Sequence, residues 1–164
     1  MKTTKTTTSR NMETTRVSVG LLLATALLPA SPAMAQHKAI VPAELAPSPG
    51  GAAPLFSPGI LADGTLYVAG ELGTDLKTRQ IPDDFEQEVR NSLGTIGLIL
   101  KEAGMSYSDV VSVTVYLSDM DLFGKMNAIY ATYFKDPKPV RATIGVAKLA
   151  SAKAHIEISV IARK

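Results

Sequence analysis

Cysteine is absent from the 164 residues of this sequence, and histidine occurs only twice. Without a thiol the chain can form no disulfide bond, no thiolate nucleophile and no cysteine-based zinc site. His37 and His155 stand far apart and lack the spacing of a metal-ligand pair. We therefore expect no bound metal and no other cofactor.

The sequence also lacks a large net charge of either sign when residues 1–35 are counted separately. The whole chain carries 17 basic and 15 acidic residues. Residues 1–35 hold four of the basic residues and one of the acidic residues, which leaves 13 basic and 14 acidic residues, a net charge of −1, for the rest. Because no basic stripe remains, we expect no nucleic-acid partner.

The N-terminal stretch has the three parts of a secretory signal. Four basic residues precede or adjoin an apolar core at residues 17–28, which is too short for an ordinary transmembrane helix. Small residues follow, and Ala33 and Ala35 fit the cleavage pattern of a signal peptidase. We predict a signal peptide over residues 1–35, cleaved before Gln36. The mature protein is then exported, periplasmic or secreted, and keeps no stable membrane anchor.

The residues after the signal divide into an arm and a domain. Residues 36–53 are rich in proline, alanine and glycine, so we expect a flexible N-terminal arm with at most a short strand. Residues 54–164 form one predicted domain. Hydrophobic residues make up 46% of the sequence, which is enough for a packed core.

Within the domain, period-two and helical patterns alternate. Two apolar runs flank Asp63 and Gly64, which predicts a β-hairpin. In chain order after that hairpin, the patterns predict a helix over residues 83–104, a strand over 109–117, a helix over 118–134, and strands over 140–147 and 154–162. The order β-β-α-β-α-β-β indicates an α+β fold in which two helices cover one face of a sheet.

The other face of the predicted sheet has no covering element within the chain. Its residues are small and semi-polar; they are Thr65, Ala69, Ser112, Thr114, Tyr116, Thr143 and Gly145. This face is too large and too mixed for an ordinary solvent-exposed surface. We therefore expect a homo-oligomer in which such faces meet.

Arg141 and Glu157 are the charged residues expected on that uncovered face. In the strand VRATIGVA, Val140 and Ile144 alternate with Arg141, and we expect the apolar residues to face the helices. If the last two strands form a hairpin, Arg141 and Glu157 are neighbours. A guanidinium can hold a planar carboxylate with two parallel hydrogen bonds, and a nearby carboxylate can orient a water molecule. A structural ion pair at a subunit interface explains the same two residues.

From about residue 46 to residue 164 the chain resembles the YjgF/YER057c/UK114 superfamily, whose best-known branch is the RidA enamine/imine deaminases. The resemblance lies in the stretches LYVAGELGTDLKTRQIP, NSLGTIGLILKEAGMSYSDVVSVTVYLSDMDLFGKMNAIYATYF, VRATIGVAKL and IEISVIA. It implies a chorismate-mutase-like fold, with a mixed sheet and two helices on one face. It also implies a homotrimer whose sheets form a central barrel, with ligand clefts between subunits.

The resemblance also implies site residues. Arg141 takes the position of the family's carboxylate-clamping arginine, and Glu157 that of the glutamate that positions the hydrolytic water. Asn127, Gly70 and Thr143 match positions that line the ligand cleft. At two further substrate-binding positions the residue differs from the one usual in the family: Phe56 replaces tyrosine and Ala69 replaces serine. Beside them, Glu71 replaces glutamine and adds a negative charge.

The activity that the resemblance implies is hydrolysis of small 2-imino or enamine acids to 2-keto acids and ammonia, as in a 2-iminobutanoate/2-iminopropanoate deaminase. The hydroxyl groups lost at Phe56 and Ala69 leave two alternatives. One is a non-catalytic ligand-binding or holdase-like protein of the cell envelope. The other is a related hydrolase with a different substrate.

Overall fold

The computed structural model describes residues 1, 3–6, 37–48 and 50–164. The chain divides into two units, Met1–Ala33 and Met34–Lys164, and the second contains every strand and helix in the described ranges. Most of the predicted signal peptide, including its apolar core and its cleavage site, lies outside the described residues. Within the described ranges, no helix is both long and apolar enough to cross a membrane.

A six-stranded mixed sheet forms the centre of the second unit. The strands are β1 (Lys38–Ile40), β2 (Gly59–Ala62), β3 (Thr65–Leu72), β4 (Val110–Leu117), β5 (Val140–Gly145) and β6 (Ile156–Arg163). Their order across the sheet is β1-β2-β3-β6-β4-β5, and every neighbouring pair is antiparallel except β4 and β5, which are parallel. The predicted mixed sheet of an α+β fold is confirmed.

Helices α1 (Phe85–Glu102) and α2 (Phe123–Tyr133) pack on one face of this sheet. α1 begins where the Asp84 side chain accepts a hydrogen bond from the Glu86 amide at 3.1 Å, an N-cap. Its apolar side, the predicted one, is buried against the strands. The shared core includes Val89, Leu93, Ile96 and Leu100 of α1, Met126 and Ile129 of α2, Val113 and Val115 of β4, and Ile156, Ile158 and Val160 of β6.

The predicted hairpin between β2 and β3 is confirmed. Ala62 pairs with Thr65, so Asp63 and Gly64 form a two-residue turn. Both have positive φ, 48° and 75°, the conformation that a tight turn between twisted strands requires. Aspartate and glycine adopt positive φ more readily than most other residues do. These two residues were therefore enough to predict the turn.

Part of the predicted flexible arm belongs to the sheet. Lys38–Ile40 pairs with β2 as an edge strand, and the Ile40 side chain is buried in the core. β1 is the short strand that the prediction allowed within residues 36–53. The proline-rich and alanine-rich composition of residues 36–53 gives little sign of a core residue. One buried isoleucine, Ile40, and three paired residues are enough to order this short edge strand.

The last two strands of the chain do not form a hairpin with each other. β5 pairs with β4, and β6 lies between β3 and β4. α2 connects β4 to β5 as a crossover, which makes these two strands parallel neighbours. β6 then returns to the middle of the sheet, where it pairs on both sides.

Candidate functional site

Arg141 points to the helix-covered side of the sheet, opposite to the prediction. In the parallel register of β4 and β5, Arg141 pairs with Val113 and Thr143 pairs with Val115. Directly paired residues share a face of the sheet, and both valines are buried under the helices. The apolar residues of β5 lie on the open face instead, where Val140 is 71% exposed.

Aromatic rings of α2 explain this orientation. The Cζ atom of Arg141 lies 4.5 Å from the centroid of the Tyr130 ring and 5.7 Å from that of Phe123. A guanidinium packs favourably on such rings, because their faces carry negative partial charge. β5 is an edge strand and Arg141 is partly exposed, so its guanidinium can reach solvent while it packs on Tyr130.

The surroundings of Arg141 have unused hydrogen-bonding capacity. Arg141 forms no ion pair with any acidic residue that the structure describes. The Tyr130 hydroxyl and the Thr143 Oγ1 atom are buried and have no hydrogen-bond partner in the described part of the chain. Burial raises the pKa of Tyr130, and the positive charge of Arg141 opposes that rise. An unpaired cation beside two unused hydroxyls is suited to bind an anion.

Asn127 lies on the same face of α2 as these rings. It follows Phe123 by four residues and precedes Tyr130 by three, a spacing that places all three side chains along one side of the helix. Asn127, Tyr130, Arg141 and Thr143 are called the arginine cluster below. Three of the four were predicted. Tyr130 was missed, and the signal that could have found it was its helical spacing from Asn127.

A second group of predicted residues gathers around Glu157 on the open face. Glu157 pairs with Tyr116 of β4 and with Leu72 of β3. Gly70 lies so close that a Cβ atom there would be 1.9 Å from the Glu157 Oε1 atom. Glycine is therefore required at position 70 for the carboxyl group to take this position.

Glu71 follows Gly70 at the end of a register shift in β3. Pairing with β6 is interrupted between Val68 and Glu71, and Glu71 then pairs with Ile158. The Ser92 hydroxyl of α1 donates to the Glu71 carbonyl at 2.8 Å and fixes its backbone. Burial and the neighbouring Glu157 carboxylate together raise the pKa of Glu71 from 4.5 to about 7.

Glu71 opens into two cavities that share part of their lining. One, of about 290 Å³, is lined by Phe56 and by prolines of the N-terminal segment. The other, of about 270 Å³, is lined by Phe56, Gly70 and Arg79. Phe56 is 68% exposed. Ala69 is half-buried, and its amide donates to the Pro58 carbonyl at 2.9 Å. Phe56, Gly70, Glu71 and Glu157 are called the acidic cluster below.

The two clusters lie on opposite faces of the sheet. Arg141 shares a face with the buried Val113, whereas Glu157 shares a face with Tyr116. Tyr116 lies three residues after Val113 on β4 and points to the other side of the sheet. The prediction that Arg141 and Glu157 are neighbours on one face is wrong. The predicted site residues therefore form two separate groups, which do not contact each other across the sheet of one chain.

A buried carboxylate holds the strand that carries Glu157. Glu88 of α1 is fully buried, and its Oε1 atom accepts hydrogen bonds from the amides of His155 at 2.7 Å and Ile156 at 3.2 Å. Its Oε2 atom lies 3.1 Å from His155 Nδ1. These contacts tie α1 to the start of β6. Among the described residues, no group of three or more potential ligands is arranged to hold a metal ion.

Comparison with known proteins assigns the chain to a family. The model of the family described as Endoribonuclease L-PSP matches residues 46–164. The chain is 41% identical to a RutC family protein of Pyrococcus horikoshii, over 77% of this chain and 98% of the relative. It is also 41% identical to the 2-iminobutanoate/2-iminopropanoate deaminase of Rattus norvegicus, over 65% of this chain and 78% of the relative.

A solved structure gives the same assignment. The YjgF gene product of E. coli superposes with a TM-score of 0.69 at 29% identity, covering 77% of this chain and 98% of that chain. The mixed sheet with two helices on one face is thus the fold of this family. The protein is a member of the YjgF/RidA family.

Proposed function

We propose that the protein hydrolyses small 2-imino acids to 2-keto acids and ammonia. The observation that carries this proposal is the state of Arg141, a guanidinium that rests on Tyr130 without an acidic partner in the described residues. Two hydrogen bonds from such a group fit the carboxylate of a 2-imino acid. The relative named as a 2-iminobutanoate/2-iminopropanoate deaminase supports this substrate class.

The proposed reaction needs a water molecule placed against the electrophilic C=N carbon. Glu157 is the candidate for this task, because its carboxylate lies on the open face against Gly70 and accepts no hydrogen bond from the described residues. A carboxylate that orients water and takes its proton is a general base. Arg141 would fix the substrate, and Glu157 would direct the attack.

The complete site, in this proposal, forms between two subunits of a homotrimer. Arg141 and Glu157 lie on opposite faces of one sheet, so one chain alone does not bring them to one substrate. The open face also carries exposed apolar side chains, which favour burial against another copy; they are Tyr67, Val140, Ile144 and Ile161. The arginine cluster of one protomer would then meet the acidic cluster of its neighbour.

Ammonia or keto-acid release from freshly generated 2-iminopropanoate and 2-iminobutanoate tests the activity, with mature protein beginning at Gln36. We expect acceleration that Arg141→Ala and Glu157→Gln each abolish in folded protein. Arg90→Ala is the matched control, because Arg90 forms an exposed ion pair with Glu86 at 3.8 Å and should not matter. A folded protein that binds keto acids without turnover would favour the ligand-binding alternative.

Mixing the two inactive variants tests the shared site. When equal amounts of Arg141→Ala and Glu157→Gln subunits reassemble at random into trimers, about one quarter of all sites receive both native residues. We expect activity to return to about that fraction of the wild-type value after the subunits are unfolded and refolded together. Hybrids as inactive as their parents would contradict a site formed between subunits.

A further inference from the structure

An exposed apolar surface begins beside the guanidinium of Arg141 and continues along the start of α2. The ring of Phe123, the first residue of α2, has its centroid 5.7 Å from Arg141 Cζ. A 3₁₀ turn, Met120–Leu122, precedes it, and the Phe123 amide donates to the Met120 carbonyl oxygen. Side chains three residues apart lie on the same side of such a turn. Met120 is 47% exposed and Phe123 is 36% exposed, and these two residues are called the apolar strip below.

Strand β5 forms the floor under the apolar strip. Arg141, Thr143 and Gly145 alternate along its helix-covered face, because they pair with buried residues of β4. A Cβ atom at position 145 would lie 3.0 Å from Met120 Cγ and 3.4 Å from its Sδ atom, so the thioether packs on the glycine backbone. Met120 therefore lies over one end of this face, Arg141 lies at the other end, and Phe123 lies between them.

A ligand carboxylate held by Arg141 leaves the rest of the ligand beside the apolar strip. The guanidinium already packs on the Tyr130 ring at 4.5 Å, and the Tyr130 hydroxyl is buried. Among the described residues next to the guanidinium, Phe123 presents an exposed apolar surface, and Met120 extends that surface. Apolar groups placed on it are removed from water, which stabilises the complex in proportion to the covered area.

We propose that the apolar strip binds the side chain of the substrate, and that the protein therefore prefers 2-imino acids with an extended apolar side chain to 2-iminopropanoate. This inference rests on the proposed function, since it takes Arg141 as the group that holds the substrate carboxylate. Methionine is suited to this task, because its thioether is flexible and polarisable and adapts to ligands of different shape.

Two acidic residues at the far end of the strip narrow this preference. Asp119 and Asp121 flank Met120 in the chain, and the Asp119 side chain accepts a hydrogen bond from the Asp121 amide at 2.9 Å. Both residues are exposed, and neither forms an ion pair in the described part of the chain. A substrate with a second carboxylate at the end of its side chain meets like charge there, which weakens its binding.

Equilibrium binding of 2-keto acids tests the strip without turnover, because these products share the carboxylate and the side chain of the imino acids. By calorimetry, we expect Kd to fall about fourfold for each methylene group that the strip covers along the series pyruvate, 2-oxobutanoate, 2-oxopentanoate and 2-oxohexanoate. 2-Oxoglutarate should bind more weakly than 2-oxopentanoate. A Kd that stays constant along the series, or tighter binding of 2-oxoglutarate than of 2-oxopentanoate, overturns the inference.

Met120→Ala shows whether Met120 supplies the gain. It should raise Kd for 2-oxohexanoate about tenfold, the effect of roughly two covered methylene groups, and leave Kd for pyruvate unchanged, because pyruvate is too short to reach position 120. Lys125→Ala is the matched control: it shortens a long, exposed side chain within α2 and should leave the whole series unchanged. A Met120→Ala variant that binds the series as the wild type does contradicts the proposal.

Ammonia release from the matching 2-imino acids separates this inference from the proposed function. Binding that depends on chain length and on Met120, without any turnover, supports the strip as the side-chain site of a binding protein and retracts the proposed function. Equal kcat/KM for 2-iminopropanoate and 2-iminohexanoate supports the proposed function and overturns the role of the strip.

Discussion

The guanidinium carbon of Arg141 lies 4.5 Å from the centroid of the Tyr130 ring, and the Tyr130 hydroxyl is buried without a hydrogen-bond partner in the described residues. The ring therefore sets where the guanidinium lies, and a hydroxyl remains for a ligand. Tyr130→Leu should raise KM for an imino acid about tenfold and leave kcat nearly unchanged, because a partly desolvated cation–π contact contributes about 1–2 kcal/mol.

Tyr130→Phe separates the ring from its hydroxyl. It keeps the stacking surface and removes an unsatisfied buried polar group, so we expect the free energy of unfolding to stay equal or to rise by up to about 1 kcal/mol. Urea denaturation measures this change, and steady-state kinetics show whether the hydroxyl also contacts the substrate. A clear loss of stability would mean that the hydroxyl already has a partner in the folded protein.

Gly70→Ala should abolish activity by moving the Glu157 carboxyl group. A Cβ atom at position 70 would lie 1.9 Å from Glu157 Oε1, far inside van der Waals contact, so the side chain must leave its position. Gly94→Ala is the matched control. Nothing lies within 4 Å of a Cβ at position 94, which is in the middle of α1, so this change should stabilise the protein by about 0.5–1 kcal/mol. Equal activity of both variants would contradict the assigned place of Glu157.

Glu88→Ala should destabilise the fold by at least about 2 kcal/mol. It leaves the buried amide of Ile156 and the partly buried amide of His155 without their acceptor, and an unsatisfied buried donor costs about 1–3 kcal/mol. Glu88→Gln keeps one carbonyl oxygen for both amides and should recover most of the stability. Chemical denaturation of the two variants gives the comparison. Equal losses in both would mean that the negative charge, rather than the accepting oxygen, holds β6.

The predicted export signal calls for its own measurement. Expressed from Met1, the protein should appear in the periplasm or the medium with Gln36 as its first residue, which N-terminal sequencing of the mature form determines. Ala33→Arg together with Ala35→Arg should block cleavage, because the peptidase needs small residues there. A protein that stays in the cytoplasm with its first residues intact would refute the signal peptide.

The features that depend on local periodicity could be predicted from the amino-acid sequence. Alternating valines defined β4, helical spacing of Val89 and Leu93 defined α1, and Asp63 with Gly64 defined the hairpin turn. Each of these signals acts within a few residues of the chain. The alternation along the strands also identified Arg141 and Glu157 as candidate site residues, because charged side chains are unusual among the small residues of a strand.

The order of the strands and the direction in which β5 faces depend on tertiary contacts. Alternation shows that Arg141 and Val140 point apart, but it does not say which of them meets the helices. The insertion of β6 between β3 and β4, and the rings of Tyr130 and Phe123 above β5, settle that choice through contacts distant in sequence. The register shift between Val68 and Glu71 is of the same kind, because strand pairing is a non-local property that no short stretch of sequence contains.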